Sequence, residues 1–392
     1  VVSLTDDNAD GLIDQNDIPD VLALTYYTPV VLRAVSGDDG SEIFNISGNW
    51  QITGALAAGD IDGDGIVEII VPQSDSSVAA LEHDGTVKWT STQLYGHMVG
   101  TSDAPSIADM DGDGNPEIII GRAILSNTGA VIGTGSYGMG YNTGNVGATS
   151  VVADLNVDGQ QEVVVGNAVY SMDGTAICTN SNMDGYPAVG DFDADGQGEF
   201  VVVSSGGEVR LHETDCQPVW SAQIPGATQT YFGGPPTVAD YDGDGAPEVG
   251  VAANNSYTVF ETDGTLLWQM PTQDASSGNT GSSVFDFEGD GFAEAIYADE
   301  TRLWAFNGIN GEVKLESTDH ASNTWTEYPV IVDVDADDHA EIVVTNNNTG
   351  GIQITGITVI EDADDSWRPS RRIWNQHAYS ITNVNDDGTI PA

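Results

Sequence analysis

An acidic loop of nine residues is written eight times into this 392-residue chain, starting at Asp6, Asp60, Asp109, Asp154, Asp191, Asp240, Asp286 and Asp333. Each copy has aspartate at positions 1 and 5, an acid or amide at position 3, and a carboxylate at position 9; "DIDGDGIVE", from Asp60 to Glu68, is a clear example. Like charges at that density repel unless a cation lies among them. Calcium takes six to eight oxygens at about 2.3–2.6 Å in flexible geometry, so it is the cation such a loop suits best. A small residue at position 6 allows the sharp turn that aims the oxygens inward.

The candidate ligands follow loop by loop. They are Asp6, Asn8, Asp10, Asp14 and Asp17 in the first, where Asp14 stands at position 9 and Asp17 at position 12 as in an EF-hand-like loop without its two helices. The next three loops offer Asp60, Asp62, Asp64 and Glu68; Asp109, Asp111, Asp113 and Glu117; and Asp154, Asn156, Asp158 and Glu162. The last four offer Asp191, Asp193, Asp195 and Glu199; Asp240, Asp242, Asp244 and Glu248; Asp286, Glu288, Asp290 and Glu294; and Asp333, Asp335, Asp337 and Glu341. Up to about eight calcium ions are expected. The loop at Asp333 has Asp338 in place of glycine, so weaker binding is expected there.

The loop starts are separated by 54, 49, 45, 37, 49, 46 and 47 residues. Periods of that length belong to propellers and arrays, in which a unit cannot bury its apolar face alone. Within each period a short apolar segment enters the loop, a β-branched run such as "EIIIG" or "EIVVT" leaves it, and a hairpin with a D-G or N-G turn follows. The fold class expected is all-β: a propeller of four-stranded antiparallel blades, eight in number with seven as the alternative. Closure is favoured over a linear array because it removes exposed sheet edges. Trp89, Trp220 and Trp268 follow the hairpin turn at matching positions and are expected to pack in or between blades. Cys178 and Cys216 permit one disulfide between adjacent repeats or two separate buried thiols.

Nine basic residues face 61 acidic ones, a formal charge of −52. That balance argues against nucleic acid and anionic membrane as partners, both of which need basic patches. No apolar run approaches the roughly 18 residues that would span a bilayer. The chain opens on the strand-like "VVSLT" with no leader pattern, as expected of a mature or excised segment.

"FGGPPTVADYDGDGAPEVGVA" (232–252) and "DAPSIADMDGDGNPEIIIG" (103–121) resemble FG-GAP/VCBS repeats, the type found in integrin α-subunit propellers and many bacterial surface proteins. The resemblance spans roughly residues 1–365 and implies a calcium-bearing propeller with the loops between strands 1 and 2 of each blade. Residues 366–392 break the period and carry Arg368, Arg371 and Arg372, so they read as a basic, aromatic clasp on the acidic ring or the start of a following segment.

If the loops lie on one face, the connectors between blades lie on the other. Those connectors hold Trp50, Tyr95, His97, Tyr137, Tyr141, Tyr231, Phe232 and Trp325, aromatic and polar groups suited to a protein or glycan ligand. No zinc-type histidine spacing or nucleophile elbow occurs, and "GTGSYG" at Gly133–Gly138 precedes no helical pattern. The expectation is a non-catalytic, calcium-stabilised module at the cell surface or outside the cell, acting in adhesion or self-assembly. The alternatives are a lectin-like or polysaccharide-lyase-like propeller and the repeating subunit of an extracellular filament.

Overall fold

The β-branched run after each acidic loop forms the second strand of a small antiparallel sheet. In this computed structural model, residues 1–26, 28–142, 147–227, 233–325, 327–348 and 352–391 are described. Eight such sheets follow one another in chain order, and no helix occurs among the described residues. Blade 2 shows the plan: an inner strand Ala57–Gly59, the acidic loop, a second strand Glu68–Pro72, a third Val78–Leu81 and an outer strand Val87–Thr90. Blades 2 to 7 each have four strands. Blade 1 has three, and the Val2–Asp20 bridge supplies its inner position; blade 8 has three among the described residues.

The expectation of eight blades holds, with every acidic loop between the inner position and the second strand. Second strands such as Glu68–Pro72, Glu117–Ile120 and Glu199–Ser204 are buried along their whole length. A strand covered on both faces has no polar side to show, which is why these segments read as unbroken apolar runs rather than alternating ones. Outer strands such as Ala176–Thr179 alternate between covered and exposed residues, because one face meets water.

Eight apolar clusters lie between neighbouring blades, not within them. Ile70, Val78 and Ala80 of blade 2 pack on Ile107, Ile118 and Ile120 of blade 3, and the pattern continues around the ring. The last cluster joins Val332, Val334 and Val343 of blade 8 to Val21 of blade 1, so the ring is closed.

Trp89, Trp220 and Trp268 sit at these seams. Each indole N–H donates to a backbone carbonyl of the next blade, at Asn127, Thr262 and Gly308 respectively. Beneath the Trp220 ring lies Gly264, whose φ is +81° and where a Cβ would come within 2.7 Å of the indole. Between blades 4 and 5 the same contact is covalent: Cys178 takes the tryptophan's register, Cys216 the glycine's, and the two form a disulfide with Cα atoms 5.8 Å apart.

Past blade 8, the C-terminal segment runs along the inner ends of the blades. Backbone hydrogen bonds tie Arg368 to Phe287, Arg371 to Asp333, Trp374 to Val1 and Asn375 to Ala58, touching blades 7, 8, 1 and 2 in turn. Gln376 Oε1 then accepts the N–H of Ile107 in blade 3 at 2.7 Å.

Candidate metal centres and the connectors between blades

Each acidic loop is pre-shaped by its own carboxylates. In all eight, one oxygen of the position-1 aspartate accepts the backbone N–H of position 6, as from Gly65 to Asp60 at 2.9 Å and from Asp338 to Asp333 at 3.2 Å. The position-5 aspartate accepts the N–H of position 7, as from Ala246 to Asp244 at 2.8 Å. In blades 2 to 8, Oε2 of the position-9 glutamate accepts the N–H of position 2, as from Tyr241 to Glu248 at 2.7 Å. The position-1 aspartate commonly gives its second oxygen to the backbone as well, as from Gly243 to Asp240 Oδ1 at 2.7 Å, whereas the position-9 glutamate spends Oε2 on the backbone and turns Oε1 elsewhere.

In blade 1 that anchoring glutamate is replaced by Asp17, not Asp14. Asp17 is buried and accepts the N–H of Asp7 at 3.0 Å, while Asp14 Oδ1 is turned to Asn16. The EF-hand-like twelfth position therefore carries the closing carboxylate.

The sequence pattern marked position 6 as the sharp turn, yet position 4 is left-handed as well in every loop. Glycine fills it in four blades, but Ala9, Val157, Ala194 and Ala336 hold φ of 58–65° there. A valine in that region is unusual, because its branched Cβ crowds the backbone.

Positions 1, 3 and 9 come together within 4.8 Å in the groups Asp60–Asp62–Glu68, Asp109–Asp111–Glu117, Asp191–Asp193–Glu199 and Asp240–Asp242–Glu248. The donor set fits a hard cation, and the free oxygens support it. Glu248 Oε1 is buried and has no hydrogen-bond donor, and Asp335 Oδ1 is in the same state. Burial, reinforced by neighbouring aspartates, raises Glu117 and Glu248 to about 7 and Glu341 to about 8, above the ordinary glutamate value. Blade 8 differs, since a further close group there is Asp337, His339 and Asp365, and Arg372 Nε binds Asp333 Oδ2 at 3.0 Å.

The chain's two lysines lie on outer strands and touch the acidic loops, a contact that the sequence pattern does not reveal. Lys88 Nζ lies 2.6 Å from Asp62, 3.0 Å from Glu68 and 3.1 Å from Glu82. Lys314 Nζ lies 3.0 Å from Glu288. Desolvation disfavours the charge on Lys88, but its hydrogen bonds to the three carboxylates outweigh that and hold the ammonium above its ordinary value.

In the connectors between blades, Tyr95 and Tyr137 are 64% and 50% exposed, and Arg122 joins their connectors by binding the carbonyls of Gly96 and Tyr137. His97 and Tyr141 are half-buried beside them. Trp325, between blades 7 and 8, reaches across the opening to donate to Ser102 Oγ, between blades 2 and 3, at 2.7 Å. Trp50 instead sits in the core between blades 1 and 2, only 4% exposed, with its N–H on Ile46 O. Tyr231 and Phe232 lie outside the described residues.

These connectors are organised by buried carboxylates that the sequence did not flag. Asp103 accepts N–H groups from Val99, Gly100 and Ala148 and the amide of Gln51. Asp274 gathers Thr280 and Tyr297 in the same way. A lone aspartate in a polar connector has no period to give it away.

A sequence profile for FG-GAP-like repeats matches residues 191–251, the loop of blade 5 through the second strand of blade 6. No curated protein sequence matches the chain. Among solved structures, the V. cholerae biofilm matrix protein Bap1 is similar over 100% of this chain and 92% of its own, at 20% identity and a TM-score of 0.85. A rhamnogalacturonan lyase of Bacillus licheniformis is similar over 98% of this chain and 73% of its own, at 16% identity and a TM-score of 0.61. The rhamnogalacturonan lyase YesW is similar over 86% of this chain and 66% of its own, at 17% identity and a TM-score of 0.57. At these identities the likeness is one of fold.

Proposed function

We propose that this chain is a calcium-stabilised interaction module, without chemistry of its own, that acts in adhesion or matrix assembly at a bacterial surface or outside the cell. The observation that carries the calcium reading is the buried, donorless Oε1 of Glu248 within a loop whose every other anchor is already made. A buried carboxylate oxygen left without a partner is costly, and a divalent ion among Asp240, Asp242 and Glu248 removes that cost. Calcium would bind through the position-1, -3, -5 and -9 side chains and draw neighbouring blades' loops into fixed geometry. Eight such ions would add 16 positive charges and leave −36, still strongly acidic. Such a surface suits a saline or calcium-rich medium, and the Cys178–Cys216 disulfide suits an oxidising one.

The adhesion reading leans on the full-length likeness to a biofilm matrix propeller. Equilibrium dialysis should find several calcium ions per chain, and purified protein should bind cells or matrix of a producing strain only with calcium present. Absence of bound calcium at millimolar concentration would remove the first claim, and equal binding in chelator the second.

A second reading, glycan binding on the connector face, is favoured by the exposed Tyr95 and Tyr137 held together through Arg122 and by the polysaccharide-lyase likenesses. Lyase activity itself is disfavoured, because both lysines, which lie on outer strands, are engaged by carboxylates of the acidic loops. Glycan-array signal that disappears in Tyr95→Ala and Tyr137→Ala would establish the glycan site; a signal unaffected by both would place it elsewhere.

A further inference from the structure

Among the described residues, the outer strands of blades 1 to 7 each carry one extra residue, and it falls at the same place in all seven. In blade 2 Ala80 pairs with Trp89 and Leu81 with Val87, so Lys88 is left over; in blade 7 Ala305 pairs with Leu315 and Phe306 with Val313, leaving Lys314. The same bulge isolates Ile43, Ile132, Ile177, Val219 and Leu267 in blades 1, 3, 4, 5 and 6. A bulge re-aims the side chain of its extra residue. Here it gives two ammonium groups a path to the acidic loops, and those are the only lysines in the chain.

The contacts show what the lysine does at the loop. Glu248 Oε1 in blade 6 has no donor, whereas the matching oxygen in blade 2, Glu68 Oε1, accepts Lys88 Nζ at 3.0 Å. Lys88 also takes the position-3 carboxylate of Asp62, and Lys314 takes the position-3 carboxylate of Glu288. In blade 2 the ammonium thus holds a glutamate oxygen that blade 6 leaves without a donor; in blade 7 Lys314 holds the position-3 carboxylate, and Glu294 Oε1 stays buried without a donor. Among the described residues, no lysine or arginine makes an ion pair with the loops of blades 3 to 6.

We propose that the bulged residue of the outer strand sets the cation dependence of its own blade's loop, and that Lys88 and Lys314 are built-in counter-cations competing with calcium in blades 2 and 7. This rests on the calcium reading above. A unit positive charge beside the site must withdraw or be repelled before a divalent ion enters, so these two loops bind calcium more weakly. In its absence one positive charge already offsets part of the repulsion among their carboxylates, so they keep their shape better than loops without one. The blades that flank the junction of blades 8 and 1 therefore stay ordered at calcium levels where blades 3 to 6 loosen.

The test is a calcium titration of the full chain by calorimetry, paired with thermal melting in chelator and in saturating calcium. Lys88→Met should tighten one site by at least about tenfold, and should lower the melting temperature in chelator much more than in calcium. The reverse variant, Val219→Lys, places an ammonium at the blade 5 bulge; it should weaken one site and raise the melting temperature in chelator. Amide exchange of the wild type in chelator should show protection lost first at 109–117, 154–162, 191–199 and 240–248, and kept at 60–68 and 286–294. If Lys88→Met lowers the melting temperature equally with and without calcium and leaves the titration unchanged, the lysine is an ordinary ion pair and the inference falls. If wild type shows neither heat of binding nor a chelator effect, the calcium reading falls and takes this one with it.

Discussion

Val157 shows how strongly the loops dictate backbone shape. It occupies position 4 of the blade 4 loop at φ 58°, where blades 2, 3, 6 and 7 use glycine. Left-handed backbone costs an L-residue about 1–2 kcal/mol, offset only partly by the greater freedom glycine gains when unfolded. Val157→Gly should therefore stabilise the protein by about 1 kcal/mol in chemical denaturation. The position-9 glutamates make a second residue-scale prediction. Burial raises Glu68, Glu117 and Glu248 to about 7 and Glu341 to about 8 in the folded chain, against an ordinary value of 4.5. The folded state then holds more protons than the unfolded state between those limits, so this contribution is present below pH 4.5 and is lost as pH rises toward 8. In chelator, the melting temperature should fall across that window, and saturating calcium should flatten the dependence because metal replaces the proton. A chelated protein that gains stability from pH 5 to 8 would contradict this.

Blades meet through a recurrent pairing of an outer-strand side chain with the turn glycine of the next blade. At Gly264 the left-handed φ and the Trp220 ring both exclude a Cβ. Gly264→Ala should destabilise by about 2–4 kcal/mol in denaturant titration, more than an exposed turn glycine such as Gly226. The Cys178–Cys216 bridge performs the same docking covalently across 38 residues. On loop-closure entropy a bridge of that span contributes about 4 kcal/mol, so the Cys178→Ala, Cys216→Ala double variant should unfold at correspondingly lower denaturant.

Ring closure depends on the C-terminal segment, because blades 8 and 1 are joined by a small valine cluster that lies between chain ends. Val1 and Trp374 exchange backbone hydrogen bonds at 2.8 and 2.9 Å, and the Trp374 ring stacks on Tyr379 at 4.3 Å. Arg371 and Arg372 are held within the chain by Asp386, Asp333 and Asp338, which leaves them unsuited to a head-to-tail contact with a second copy. Trp374→Ala should cost about 3 kcal/mol and raise amide exchange in both blade 8 and blade 1, while blades 4 and 5 keep their protection. Uniform loosening around the ring would show that the segment is not the closure.

The spacing of the acidic loops, the unbroken apolar runs and the hairpin turns determined the strand order within a blade, narrowed the number of blades to eight or seven, and marked the candidate ligands. These are features of the single repeat and of its period along the chain, so they can be read in one dimension. Neighbours brought together from far along the chain decided the rest. The pairing of Cys178 with Cys216 depends on one blade's outer strand meeting the next blade's turn. Asp17 replaces Asp14 because burial, not spacing, chooses the anchoring carboxylate. Trp50 goes to the core while Tyr95 stays exposed, although both lie in aromatic-bearing connectors. Lys88 reaches its loop because a bulge in a strand two turns later points it there. Which charges face one another is a property of closed sheets in three dimensions, and a linear pattern holds no record of it.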